Sequence, residues 1–158
     1  MAFLLDTIVA IQTIGVEEFV AKEKFIEGRK VDGVSIICLG GNFKKILPDI
    51  VEYGVKTARL KIHTLLKAAV DFPPQGEDGI VAELGREYEI TLAHFFQILA
   101  YKQKMKDFTW VIGYIRVKNV PYVVYSFWYS DSEGWYVDVS RASCPHEWQS
   151  GFEVAASF

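Results

Sequence analysis

The chain has 158 residues, 51% of them hydrophobic and 23% charged, with a net charge of -3; that is the composition of a folded domain able to bury a core, and it argues against a disordered chain. The charge balance gives no global reason to bind nucleic acid, whose affinity rests on a basic surface. Two cysteines, Cys38 and Cys144, are too few for a disulfide framework, so the expectation is one domain over residues 1–158 with reduced thiols.

The apolar opening FLLDTIVAIQTIGV has no basic leader, is interrupted by Asp6 and Gln12, and is too short to span a bilayer. It predicts a strand over 3–14 and no membrane association, and the lack of an export signal points to the cytoplasm. Residues 16–26 fit a helical or an extended reading equally, GRKVDG is a turn, and Val34–Leu39 is a compact apolar run suited to a strand buried on both faces. Gly40, Gly41 and Asn42 then lead into a short helix, with Asn42 as its N-cap. The glycines resemble in outline a backbone nest for an anion, but they match neither a P-loop nor a dinucleotide fingerprint.

Over 55–70 the residues Val55, Ala58, Ile62, Leu65, Leu66 and Ala69 fall on one helical stripe, with Lys56, Arg59, His63 and Lys67 largely off it. The spacing predicts an amphipathic helix with a basic face. Residues 71–79, DFPPQGEDG, predict a loop, after which Asp78 caps a brief helix over 80–84 closed by Gly85. Thr91 is a helix N-cap, with Ile90 placed to staple onto Phe95, and that helix runs to about residue 105. Its Lys102, Lys104 and Lys106 suit the negative end of the helix dipole.

The stretch 109–140, TWVIGYIRVKNVPYVVYSFWYSDSEGWYVDVS, is the organising element. Its Val, Ile, Tyr, Phe and Trp suit a pleated surface, and two polar breaks, Lys118-Asn119 and Asp131 to Gly134, fall where hairpin turns belong. It predicts a three-stranded antiparallel meander. After an irregular link, an alternating strand over 152–158 completes the sheet at an edge. Strands and helices are segregated along the chain, so the expected fold class is α+β: an antiparallel sheet packed on two main amphipathic helices, at 56–70 and 92–105.

No complete catalytic constellation is present, and no family resemblance is evident. Cys144, Pro145, His146 and Glu147 place a thiol, an imidazole and a carboxylate within four residues, yet a Cys-x-His pair alone is no zinc pattern, and nucleophilic catalysis needs a base adjacent in space. Cys144, His146 and His94 are the candidate catalytic residues of a small hydrolase or transferase, the second reading of function. Residues 44–67 carry six Lys or Arg against two acids and 101–118 five against one, which supports a third reading, a nucleic-acid-binding module using Tyr101, Lys102, Lys104 and Lys106.

The leading expectation is a non-enzymatic binding or protein-interaction module. In the middle strand Tyr122, Val124, Ser126 and Trp128 share one face, and Val123, Tyr125, Phe127 and Tyr129 the other. Tyr and Trp combine an apolar body with a polar tip, which suits a half-wet contact surface. Tyr114, Tyr125, Trp128 and Trp135 are the candidate binding residues, the bland alternative being that both faces of this strand are covered. A protein partner or a second copy of the chain is the expected partner class; nucleic acid is not favoured, and no metal or cofactor is expected.

Overall fold

The computed structural model describes residues 4–71, 79–143 and 146–157. Strands dominate it. The first half holds β1 (Leu5–Gln12), β2 (Val16–Val20), β3 (Arg29–Val31), β4 (Val34–Leu39), helix α1 (Gly41–Ile46), β5 (Val51–Val55), β6 (Arg59–Leu65) and β7 (Ala69–Val70). The second half holds α2 (Ile80–Leu84), α3 (Leu92–Met105), β8 (Val111–Val117), β9 (Val120–Tyr129), β10 (Gly134–Arg141), β11 (Glu147–Trp148) and β12 (Glu153–Ser157). Eight strands form one mixed sheet in the order β1-β6-β12-β8-β9-β10-β4-β3, and β2-β5 and β7-β11 make two separate ribbons. Contacts within the sheet are antiparallel except at β12-β8 and β10-β4.

The expected α+β domain with two main helices is therefore corrected: the protein is mostly β, and among the described residues α3 is the one long helix. The discrepancy lies in 55–70, where the chain forms β6 and β7. Two periods compete there. The helical stripe is real, but Arg59-Leu60-Lys61-Ile62-His63 also alternates strictly, and in the sheet Leu60 and Ile62 are buried on one face. The free backbone edges of β1 and β12 on either side supply hydrogen bonds that an isolated helix could not match, and tertiary pairing overrides the local pattern.

The meander occupies the centre of the sheet. Its first turn places Lys118 at φ 49° and Asn119 at φ 63°, both in the left-handed region that a two-residue hairpin of matching twist demands. Tyr129 pairs with Gly134 across the second turn, in which Glu133 takes φ 52°. The last strand, expected at an edge, is internal: β12 lies between β6 and β8. Its small residues explain this, because Val154, Ala155 and Ala156 are buried on both faces of the sheet.

Two apolar layers cover the sheet. On one face α3 lays Leu92, Phe95, Phe96 and Leu99 against Val111, Val124, Val137 and Val139. Gly113 in β8 makes this fit, since a Cβ there would come within 2.9 Å of Ile90 Cδ1 and 3.1 Å of the Phe95 ring. On the other face α2 and the β7-β11 ribbon gather Ile80, Val81 and Trp148 over Ile112, Tyr114, Val123 and Val154.

Carboxylates fasten these layers from a distance. The Glu52 carboxylate on β5 accepts the Leu92 and Ala93 N–H groups at the start of α3, each at 2.8 Å, and Thr91 Oγ1 accepts from the His94 N–H at 3.0 Å. The Glu83 carboxylate on α2 accepts the N–H groups of Leu4 and Leu5. At the far end of α3, Lys102, expected to complement the helix dipole, is buried: its ammonium bonds Glu153 at the start of β12 and lies 3.1 Å from Asp107 Oδ2.

A buried ion that loses its partner keeps its desolvation cost, at about 3–5 kcal/mol. Lys102→Met is accordingly expected to destabilise the fold by about that amount, and Lys102→Met with Glu153→Leu to recover most of the loss. Urea unfolding of the two variants beside the native chain measures both; equal losses would show that the ion pair is not what holds this corner.

Candidate functional site

Strand register sorts the side chains of the face opposite α3 into rows. Phe152 and Trp110 immediately precede the paired residues Glu153 and Val111, Trp110 is likewise adjacent to the Val111-Ser126 pair, and Phe127 pairs with Tyr136. The rings stand side by side across four strands. Phe152 and Trp110 are 4.7 Å apart at 15°, Trp110 and Phe127 4.3 Å at 17°, and Phe127 and Tyr136 4.8 Å at 26°. These separations match the interstrand spacing, so each inner ring spends both of its faces on its neighbours. What the row offers outward is ring edges. All four rings are half-buried, and Tyr129, edge-on to Phe127 and Tyr136, is exposed.

The next row along the same face is Val154, Ile112, Tyr125 and Asp138. Asp138 is a junction. Its Oδ2 accepts from the hydroxyls of Tyr125 at 3.3 Å and Tyr136 at 3.2 Å, and its Oδ1 accepts the Phe43 N–H of α1 at 3.0 Å. Gly40 is the residue that lets the carboxylate in, because a Cβ there would lie 1.9 Å from Asp138 Cγ. The glycine turn that outlines an anion nest thus already carries an anion, the protein's own, and Gly40 rather than Asn42 occupies the N-cap position of α1. Burial first, then the Asp138 charge and hydrogen bond, push the Tyr136 hydroxyl up to about 12, and the same causes raise Tyr125. Both remain donors at neutral pH.

A third cluster lies under the β7-β11 ribbon. Asp71 Oδ1 accepts from the Tyr114 hydroxyl and, at 2.7 Å, from Trp148 Nε1–H, while its buried Oδ2 has no hydrogen-bond partner among the described residues. Burial raises the Asp71 carboxyl above the ordinary aspartate range against the pull of both donors, and Tyr114 is raised well above the tyrosine range, by burial and then by Asp71. Trp148 also stacks on His146, with centroids 5.7 Å apart at 16°, and leans on Tyr125 at 5.4 Å.

The four residues expected to bind are divided by the fold. Tyr114 and Trp135 are fully buried and offer no ring to a ligand. Trp128 lies on the α3 face, stacked on Phe108 at 4.1 Å, and Tyr125 lies half-buried on the other. Of the expected catalytic residues, His94 is buried with Nε2 2.9 Å from the Lys56 carbonyl oxygen, a structural contact, and Cys144 lies outside the described residues. His146 Nε2 is 3.3 Å from Ser140 Oγ beside the cleft described below. Phe152 and Asp138 were not singled out by sequence reasoning. Register alone brings Phe152 into the row, but Asp138 carried a signal, a carboxylate inside the apolar run WYVDVS.

Among the described residues no group of three or more His, Cys, Asp or Glu is placed to hold a metal ion, and no helix is long and apolar enough to cross a membrane. Comparison of the chain with protein-family models, with curated proteins and with solved structures finds no match in any of the three.

Because the folded Asp71 carboxyl holds its proton more tightly than in the unfolded chain, its contribution favours folding at low pH and is lost as pH rises through the folded value. Asp71→Asn cannot ionise. Its stability relative to the native chain is expected to rise between about pH 4 and about pH 7, read as the difference between urea midpoints. A difference that stays constant over that range would contradict the raised carboxyl.

Proposed function

We propose that the protein is a non-catalytic binding domain whose contact surface is the aromatic row formed by Phe152, Trp110, Phe127 and Tyr136, with Tyr129 at its rim, and that its partner is a protein. The observation that carries this reading is the in-register stack of four half-buried rings, of which Phe152 leans on the apolar layer under α2 and the β7-β11 ribbon. A scaffold needs side chains of the right volume, which Val or Ile supply; four rings at one level, with edges facing outward, add an apolar band with hydroxyl tips.

The geometry favours one partner class. Sugars and nucleic-acid bases are held by ring faces lying flat beneath them, and here the inner faces are consumed by the stack. Ring edges suit the mixed apolar and carbonyl-rich surface of a polypeptide. The exposed Asp131 and Glu133 in the turn next to Tyr129 favour a partner that brings cationic side chains to the rim. Two of the cations that supported a nucleic-acid reading are placed otherwise: Lys102 is buried in its ion cluster, and Arg116 lies against Glu89.

A random-peptide display selection on the native chain, with counter-selection on Trp110→Ser/Phe127→Ser, tests this. Peptides rich in Lys or Arg and apolar residues are expected, binding the native chain at least about tenfold more tightly than the variant. The variant's fold is checked by its far-ultraviolet circular dichroism, and Tyr129→Ser, which removes an exposed ring, serves as a milder second variant. Selection that yields no discriminating peptide, or a dimer of the native chain that these substitutions dissociate, would overturn the assignment of a different protein as partner.

A further inference from the structure

The opposite end of β10 builds a second site of different chemistry. β4 pairs with β10 only as far as Val137, because Gly40 turns the chain into α1. From Val139 to Arg141 the edge of β10 that faces α1 therefore lies beyond the end of its neighbour, and a cleft of about 510 Å³ opens between that edge and α1. That volume is in the range of small-molecule sites. Its apolar wall is Ile46, Tyr122 and Val139, and its polar side chains are Asn42, Lys45, Ser140, Arg141 and His146.

The charge of this cleft is opposite to that of the chain. Two cations and an imidazole line it, and no carboxylate is among the described residues that do. The nearest acid along β10, Asp138, is already committed to the Phe43 N–H and to two tyrosine hydroxyls. Lys45 and Arg141 make no ion pair among the described residues, in contrast to Lys44, which bonds Glu27. Ser140 Oγ lies 3.3 Å from His146 Nε2 and also bonds the Tyr125 hydroxyl, so this side of the cleft is a hydrogen-bonded chain that is already satisfied. Arg and Lys with an aromatic ring beside them are a combination that recognises a multiply charged oxyanion attached to an apolar body.

We infer that this cleft binds a small phosphomonoester carrying an apolar ring, its phosphate held by Arg141 and Lys45 and its ring laid against Tyr122 and Ile46. Arg141 supplies the planar fork for two phosphate oxygens, Lys45 a mobile point charge, and the apolar wall selects against inorganic phosphate. The site shares no residue with the aromatic row.

Calorimetric titration of the whole chain with phenyl phosphate, inorganic phosphate and benzoate tests the assignment. Phenyl phosphate is expected to bind with a Kd below about 1 mM, and at least about tenfold more tightly than either of the other two. Arg141→Gln and Lys45→Gln, both at exposed side chains, are each expected to weaken phenyl phosphate by about tenfold or more, while Lys104→Gln on α3 leaves it unchanged. Absence of binding to the native chain, equal binding of benzoate, or equal binding in all three variants would each overturn the inference.

Discussion

The register of β12, β8, β9 and β10 is the constraint on which the rest of the structure depends. Side chains alternate along a strand with a period of two, so a slip of one residue in any of these pairings would exchange the faces of that strand. In the register observed, Val111, Val124, Val137 and Val139 meet α3, and Ile112, Tyr114 and Val123 meet the β7-β11 ribbon. The same register sets four aromatic rings at one level and places Asp138 beside Tyr125. Three features oppose a slip: the left-handed pair Lys118 and Asn119, the Asp138 carboxylate seated over Gly40, and the buried Lys102-Glu153 contact.

Those fasteners are costly. Burial raises the carboxyls of Glu52, Asp71 and Glu153, so ionising each of them works against the folded state even though each accepts hydrogen bonds. A buried ion pair adds little net stability compared with an apolar pair of equal volume. What such contacts contribute is uniqueness of position: Glu52 holds the first turn of α3 to the β2-β5 ribbon, and Lys102 holds its last turn to β12. A long helix pinned at both ends leaves one face of the sheet closed along α3. The open aromatic row is on the other face.

Much of the central sheet was legible because its signals are local. Turn residues tolerant of positive φ, β-branched and aromatic enrichment, and strict alternation located β8, β9 and β10, and Thr91 marked the start of α3. The 55–70 stretch was misread because a helical stripe and a strand alternation coexist in it, and only pairing partners distant in sequence decide between them. β12 was placed at an edge for a similar reason: its parallel contact with β8 leaves no turn signature in the sequence. The candidate site was legible as an excess of aromatics and illegible as a surface. Which rings are open follows from the register and from where the covering elements end, so buried Tyr114 and Trp135 looked equivalent to Trp110 and Phe127.

The central claim is that Phe152, Trp110, Phe127 and Tyr136 form a stacked row open to solvent along its outer edge. The measurement that reaches it most directly is nuclear magnetic resonance of the ring protons with a soluble paramagnetic probe. The account predicts ring-current-shifted signals for Trp110 and Phe127, with outer-edge protons that relax strongly with the probe while Tyr114 and Trp135 stay protected. Row protons as well shielded as those of Trp135 would mean that this face is covered, and would contradict the account.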